Sequence, residues 1–398
     1  MANTVDDLGI TAPRGFIAGA AAAGIKYEGR LDIGVVCSER PATCAGVFTR
    51  NAVKSAPVLL SARRAASGSA RAVVANSGCA NACTGARGLA DAEQMTALAA
   101  SHLGIRSEEV LVGSTGVVGT FLPLDRVAAG LAKLCARRDG GHDFARAIMT
   151  TDTTCKEIAL TVRAGTCDYA IGAAAKGSGM IHPNMGTMLC FITTDAAVEP
   201  SFLAAALGRS VDTSFNMVTV DGDTSPSDTV VVLANGVAGN APFGHENGAA
   251  FEESLAHVCG QLARAVAADG EGATRLLEVT VSGARSIEDA RTAARTIAGS
   301  SLVKAAINGA DPNWGRVVCA AGRSGALMDP DLVSMDLCGV PVMSQGMPVP
   351  FDDAALRALL HTDRVVVVVD LGLGDGVATA WGCDLSHEYV TINASYTT

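Results

Sequence analysis

Aromatic side chains are scarce in this sequence. Phe, Trp and Tyr make up 4% of its 398 residues, against 49% for all hydrophobic residues. The core must therefore be built mainly from Ala, Val, Leu and Ile, with 44 glycines available for turns and close backbone approaches. No run of about 18 apolar residues occurs, so no membrane-spanning helix is expected. No cluster of Lys and Arg stands out and the formal net charge is −10. Nucleic acid and anionic membranes are thus not expected as partners. The first seven residues lack the basic-then-apolar order of a secretory signal, and a cytoplasmic protein is expected.

The signatures of bound metal and nucleotide are lacking as well. The 12 cysteines are scattered. Cys79 and Cys83 are the closest pair, but no second pair or nearby histidine completes a zinc site, so no metal is expected. Cys37, Cys135, Cys190 and Cys319 lie in apolar contexts and read as small core residues of a reducing compartment. Asp221-Gly222-Asp223 begins like a calcium loop. Its sixth position is Pro226 where glycine is needed, and its twelfth is Val232 where Glu is needed. The loop can still line a site. The glycines of Gly372-Leu373-Gly374-Asp375-Gly376 follow an apolar run, but a dinucleotide fingerprint needs a helix next. Residues 377–381 have strand character, which predicts a hairpin turn. No internal repeat or low-complexity tract is present.

Short strand-like runs alternate irregularly with helix-like ones. Strands are expected at 33–37, 72–76, 110–113, 157–162, 189–194, 229–233, 277–282 and 365–370. Helices are expected at 90–103, 123–137, 251–269 and 286–298, the last with Ser286 as N-cap and Glu288 and Asp289 in its first turn. The order predicts an α/β (α+β) fold with mixed sheets layered with helices, rather than one doubly wound sheet. The length suits about two or three domains. Linker-like composition at 239–248 and 343–350 is too short to fix a boundary.

One stretch carries chemistry: Lys176-Gly177-Ser178-Gly179-Met180-Ile181-His182-Pro183-Asn184-Met185-Gly186-Thr187, just before an apolar run. A threonine hydroxyl inside a chain is a weak nucleophile. Cutting the bond before Thr187 would free an α-amine to act as its neighbouring base. Small Gly186 leaves the scissile carbonyl open to that hydroxyl. His182 is a candidate base, but it precedes Pro183 in a turn and is assigned no role. In Gly113-Ser114-Thr115-Gly116, the Thr115 hydroxyl and the Gly116 N–H could together hold an oxyanion. Lys176 and Glu271 default to surface charges, although their glycine neighbours would let a ligand approach.

Many ordered motifs together resemble one family. They are Thr11-Ala12-Pro13-Arg14-Gly15-Phe16, Val47-Phe48-Thr49-Arg50-Asn51, Asn76-Ser77-Gly78, Ser114-Thr115-Gly116, Ile148-Met149-Thr150-Thr151-Asp152-Thr153, the stretch from Lys176 to Leu189, Asp311-Pro312-Asn313-Trp314-Gly315-Arg316 and the final Asn393-Ala394-Ser395-Tyr396-Thr397-Thr398. Over essentially its whole length the chain resembles the ornithine acetyltransferases, the glutamate N-acetyltransferases of arginine biosynthesis. The resemblance implies self-cleavage before Thr187 into an α chain, 1–186, and a β chain, 187–398, which assemble as α2β2. It implies transfer of acetyl from N-acetylornithine to Thr187 and then to glutamate, with no coenzyme. Acetyl-CoA is left open as a second acetyl donor. Thr115 and Gly116 would hold the oxyanion, and Thr150, Lys176, Thr187, Glu271, Asn393 and Thr398 would bind substrate. Gly186 departs from the alanine usual in the family. The alternative reading is an aminopeptidase or amidase with the same kind of nucleophile, in which water replaces glutamate.

Overall fold

The computed structural model describes residues 3–4, 8–164, 167–182 and 188–395. Gly186, Thr187 and Thr398 lie outside the described residues. The strands are β1 (Asn3–Thr4), β2 (Phe16–Ala21), β3 (Ile33–Phe48), β4 (Ser69–Asn76), β5 (Val110–Ser114), β6 (Lys156–Ala164), β7 (Cys167–Lys176), β8 (Leu189–Thr194), β9 (Val218–Thr219), β10 (Thr229–Ala234), β11 (Leu276–Ala284), β12 (Ser334–Leu337), β13 (Val340–Ser344), β14 (Met347–Pro348), β15 (Arg364–Asp370) and β16 (Gly376–Cys383). They form two mixed sheets. The first runs β1-β6-β7-β8-β10-β3-β4-β5, with β2 also paired to β3; the second runs β14-β13-β12-β15-β11-β16-β9. The layered α/β architecture expected from the sequence is present, and all eight expected strands form.

β8 and β10 lie side by side in parallel at the middle of the first sheet, and every residue of both is buried. Their near-continuous apolar sequence reflects burial on two faces. Cys190 and Ile192 face one core cluster while Leu189 and Phe191 face another, the period-2 alternation of a strand. β7 was not foreseen. Its Ala- and Gly-rich sequence has little intrinsic strand preference, and its pairing with β6 on one side and β8 on the other supplies the missing order.

The helices are α1 (Ala56–Ala65), α2 (Gly85–Leu103), α3 (Leu124–Lys133), α4 (Gly141–Ala147), α5 (Pro200–Asp212), α6 (Ala249–Ala268), α7 (Ile287–Ala298), α8 (Ser301–Asn308), α9 (Trp314–Gly322), α10 (Asp353–Leu360) and α11 (His387–Ser395). α6 buries Phe251, Leu255, Val258, Leu262 and Val266, spaced three or four residues apart. It packs on β6 and β7 of the first sheet and on β11 and β16 of the second, so the two sheets share one core. α7 covers β11 and β16 and packs on α9. Ser286 caps it, accepting a hydrogen bond from the Asp289 N–H at 3.1 Å.

Three local expectations are corrected. α3 stops at Lys133, because Leu134 is already extended and Arg137 exchanges backbone hydrogen bonds with Ala18. Cys135 is exposed as a result, and so is Cys319 on the outward side of α9, whereas Cys37 and Cys190 are core residues as expected. Residues 371–375 do not form a hairpin turn. β15 and β16 flank β11 on opposite sides, and the connection passes over its end, with Leu373 and Gly374 donating to the Gly283 carbonyl. Among the described residues no helix is long and apolar enough to cross a membrane.

Candidate active site

The ends of several elements converge on one pocket of about 130 Å³, lined among others by Thr115, Gly116, Thr150, Lys176, Glu271 and Asn393. Lys176 is the last residue of β7, and Thr115 and Gly116 follow β5. Thr150 lies beyond α4, Glu271 follows α6, and Asn393 stands on α11. All six residues singled out in the sequence within the described range are thus brought together. Met188 is also a lining residue and is 4% exposed.

Lys176 and Glu271 are not surface charges; they are 7% and 6% exposed. The Lys176 ammonium donates to the Thr150 hydroxyl at 2.7 Å and to the Thr115 hydroxyl at 3.2 Å. A hydroxyl that accepts from an ammonium has its own proton free to donate elsewhere. Lys176 thereby turns both threonines into donors. Burial pulls its ammonium below the usual lysine range, while Asp152 and Glu271 pull the other way.

Beneath Lys176 lies a charge cluster that sequence reasoning missed. Asp152 accepts from Lys156 Nζ at 2.7 Å, the Gly177 N–H at 2.7 Å and the Thr150 N–H at 3.0 Å. Lys156 also reaches Asp269 at 2.5 Å. Burial opposes the Asp152 charge, but Lys176, Lys156 and these hydrogen bonds outweigh it and hold the carboxyl at about 2. The four-residue spacing of Asp152 and Lys156 was visible in the sequence. Its meaning was not, because Asp269 arrives from far along the chain.

Glu271 accepts from Asn393 Nδ2 at 2.9 Å, which ties α11 to the pocket. Gly179 lies against the Glu271 carboxylate, and any Cβ there would collide with it. Gly116 has φ +126°, and a Cβ there would run into the Gly78 backbone. Its N–H therefore sits where only glycine fits. Tyr389 also lines the pocket. Burial, with Asp221 and Glu271 nearby, pushes its phenol up to about 12, so it stays protonated. Asp221, from the discarded calcium-like loop, accepts from the Met180 and Ile181 N–H groups at 2.6 and 2.9 Å. It braces the turn that leads toward residue 183. Among the described residues no group of three or more His, Cys, Asp or Glu side chains could hold a metal ion.

The arrangement combines one buried cation, two oriented hydroxyls, a backbone donor and the Glu271 carboxylate in a small, partly enclosed space. That set can bind an amino acid by both of its charges and stabilise a developing oxyanion. Comparison with known proteins agrees in kind. Residues 17–398 match the ArgJ family model. The arginine biosynthesis bifunctional protein ArgJ of Symbiobacterium thermophilum is 53% identical, over 98% of each chain. The protein of the same description from Dehalococcoides mccartyi is 50% identical, again over 98% of each. The crystal structure of the arginine biosynthesis bifunctional protein from Bacillus halodurans matches with 42% identity and a TM-score of 0.50, covering 51% of this chain and 97% of that one. By a family match over nearly its whole length and by these relatives, the chain belongs to the ArgJ family.

Proposed function

We propose that this protein is an acetyltransferase of arginine biosynthesis that moves acetyl from N-acetylornithine to glutamate through an ester on Thr187. The observation that carries this reading is the Lys176 ammonium bonded to both the Thr115 and Thr150 hydroxyls, in a pocket that also holds Glu271. The chain first cuts itself. The Thr187 hydroxyl attacks the Gly186 carbonyl carbon, the peptide C–N bond breaks, and water hydrolyses the resulting ester. The products are an α chain, 1–186, and a β chain, 187–398, with Thr187 at the new N-terminus. The solved Bacillus halodurans chain supports this: matched over 97% of its length, it covers only 51% of this chain. It is about half as long, as a cut subunit is.

In turnover, the freed α-amine takes the Thr187 hydroxyl proton as the oxygen bonds to the acetyl carbon. The Thr115 O–H and Gly116 N–H receive the oxyanion. The intermediate collapses, the acetyl C–N bond breaks, the nitrogen takes the proton, and ornithine leaves. The glutamate amine then attacks the ester carbon, and the Thr187 oxygen leaves with a proton. No cofactor is consumed. Thr150, Lys176, Glu271, Asn393 and Thr398 bind the substrates, with Lys176 on a carboxylate and Glu271 on the ornithine ammonium. The processed chains associate as α2β2.

A denaturing gel tests the first step. The 40.2 kDa chain should run as two bands of about 19 and 21 kDa, scaled by residue number. Thr187→Ala should give one full-length band and no acetyl transfer from N-acetylornithine to glutamate. A single band from the wild-type chain sinks the mechanism. Release of free acetate in preference to N-acetylglutamate would favour the hydrolase. Assay with acetyl-CoA and glutamate alone decides whether that donor is also used.

A further inference from the structure

Acetyl transfer leaves a second cavity without a task. It has a volume of about 430 Å³ and is lined by Arg50, Arg291, Arg295 and Arg323, with His182 and Thr219 at its floor. That size falls in the roughly 300–1,000 Å³ range of small-molecule sites. Three separate parts of the chain bring the four cations together. Arg291 and Arg295 stand one turn apart on α7, Arg323 follows α9, and Arg50 follows β3. Among the described residues a single carboxylate, Asp212, lines the same cavity, and it already accepts from Asn216 Nδ2 at 2.8 Å.

This convergence is unusual for the chain, in which 40 acidic residues outnumber 30 basic ones. Arg50, Arg291 and Arg323 form no ion pair among the described residues. Arg295 is half-buried and held in place, donating to His182 Nε2 at 3.0 Å. The neutral ring then carries its proton on Nδ1 and gives it to Thr219 Oγ1 at 2.9 Å. Burial first, and Arg295 second, push His182 down to about 4. The histidine is a neutral bracket that aims a guanidinium.

We propose that this cavity is an anion site for a ligand bearing two or more closely spaced phosphate groups. Guanidinium forks match phosphate oxygens in pairs, and several forks around one concavity fit clustered phosphates better than a single carboxylate. The cavity shares its walls with the reaction pocket. Thr219 and Gly222 face the arginines, while Asp221 and Asp223 of the same segment face the reaction pocket. A ligand held here is a near neighbour of the chemistry. Two sources share the required groups: the phosphorylated end of a thioester acyl donor, or a free phosphorylated metabolite.

Calorimetric titration of the purified protein with pyrophosphate, with coenzyme A and with phosphate-free pantetheine tests the site. Pyrophosphate should bind and pantetheine should not. Replacing both Arg291→Ala and Arg323→Ala should weaken pyrophosphate at least tenfold, since two charge-assisted contacts to phosphate are removed. The same variant should keep the wild-type rate with N-acetylornithine and glutamate, which shows that it is folded. If it is not, the pair Arg291→Lys and Arg323→Lys should fold and bind with an intermediate loss. Coenzyme A displacing pyrophosphate assigns the site to a donor; failure to displace it assigns the site to a free phosphate ligand. No pyrophosphate binding, or equal binding by wild type and variants, overturns the proposal. Only the donor assignment rests on the acetyl-transfer reading. Phosphate binding by a protein that transfers no acetyl would keep the site and remove that reading.

Discussion

The two cavities on either side of residues 219–223 treat charge in opposite ways. In the reaction pocket the buried charges around Lys176 are met from within the protein. Lys156 sits between Asp152 and Asp269, Lys176 lies above Asp152, and Glu271 accepts from Asn393. In the neighbouring cavity four arginines face, among the described residues, one carboxylate that is already engaged. The difference follows from exposure. Charges taken out of water need partners in the fold, because each unpaired one costs several kcal/mol. Arg50 and Arg323 are exposed, so water serves until an anion arrives. The first region is organised before any ligand binds, and the second waits for one.

The sharpest way to break this contrast is to remove the buried cation. Lys176→Met should lower acetyl transfer on the order of 10³-fold, because a substrate carboxylate loses its cation and two hydroxyls lose their orientation, that of Thr115 toward the oxyanion among them. Phosphate binding next door should not change. A loss of less than tenfold in the steady-state rate would mean that the lysine does not organise the pocket.

The next largest effect is on stability. Asp152→Asn leaves two buried lysines short of a counter-charge and should cost about 3–5 kcal/mol, read by denaturant unfolding. The sign of the pH dependence follows from the same group. The Asp152 carboxyl is held at about 2 in the fold, against an ordinary value near 3.8. Its stabilisation is therefore complete above the ordinary value and is lost as pH falls from there toward 2. His182 acts in an earlier window. Its folded value of about 4 lies below the usual 6.5, so the unfolded chain takes up the proton first and stability declines as pH falls from 6.5 toward 4. His182→Gln should flatten only that upper window in acid titrations followed by circular dichroism. Asp152→Asn should flatten only the lower one.

Glu271→Gln is a smaller and more selective change. It should weaken use of N-acetylornithine on the order of tenfold while sparing glutamate, seen as separate effects on the two half-reactions. Equal losses would move the ammonium contact elsewhere.

What could be read in advance was uneven, for physical reasons. Strands such as β8 and β10 announce themselves through apolar runs buried on both faces. Ser286 announces α7 through a cap that acts over three residues. β7 was hidden because its Ala-rich sequence is held by neighbours rather than by its own preference. The six residues of the described pocket were picked out chiefly by likeness to a family; local chemistry alone gave Lys176 and Glu271 as surface charges. Asp152, Asp269, Tyr389 and the arginine cavity depend on chain segments that meet only in the fold. No spacing within one segment signals them.

The strand order of the first sheet has a bearing on permanence. β8 and β10 belong to residues 187–398, yet they are inserted between β7 and β3, which both belong to residues 1–186. A cut at the Gly186-Thr187 bond would leave two polypeptides laced through one another, joined by backbone ladders on both flanks of the inserted pair. Neither piece would hold the first sheet complete, so neither could be exchanged for a fresh copy without dismantling that sheet. Such a molecule would be made once from a single chain, and after unfolding its separated parts would have lost the connectivity that first threaded them together.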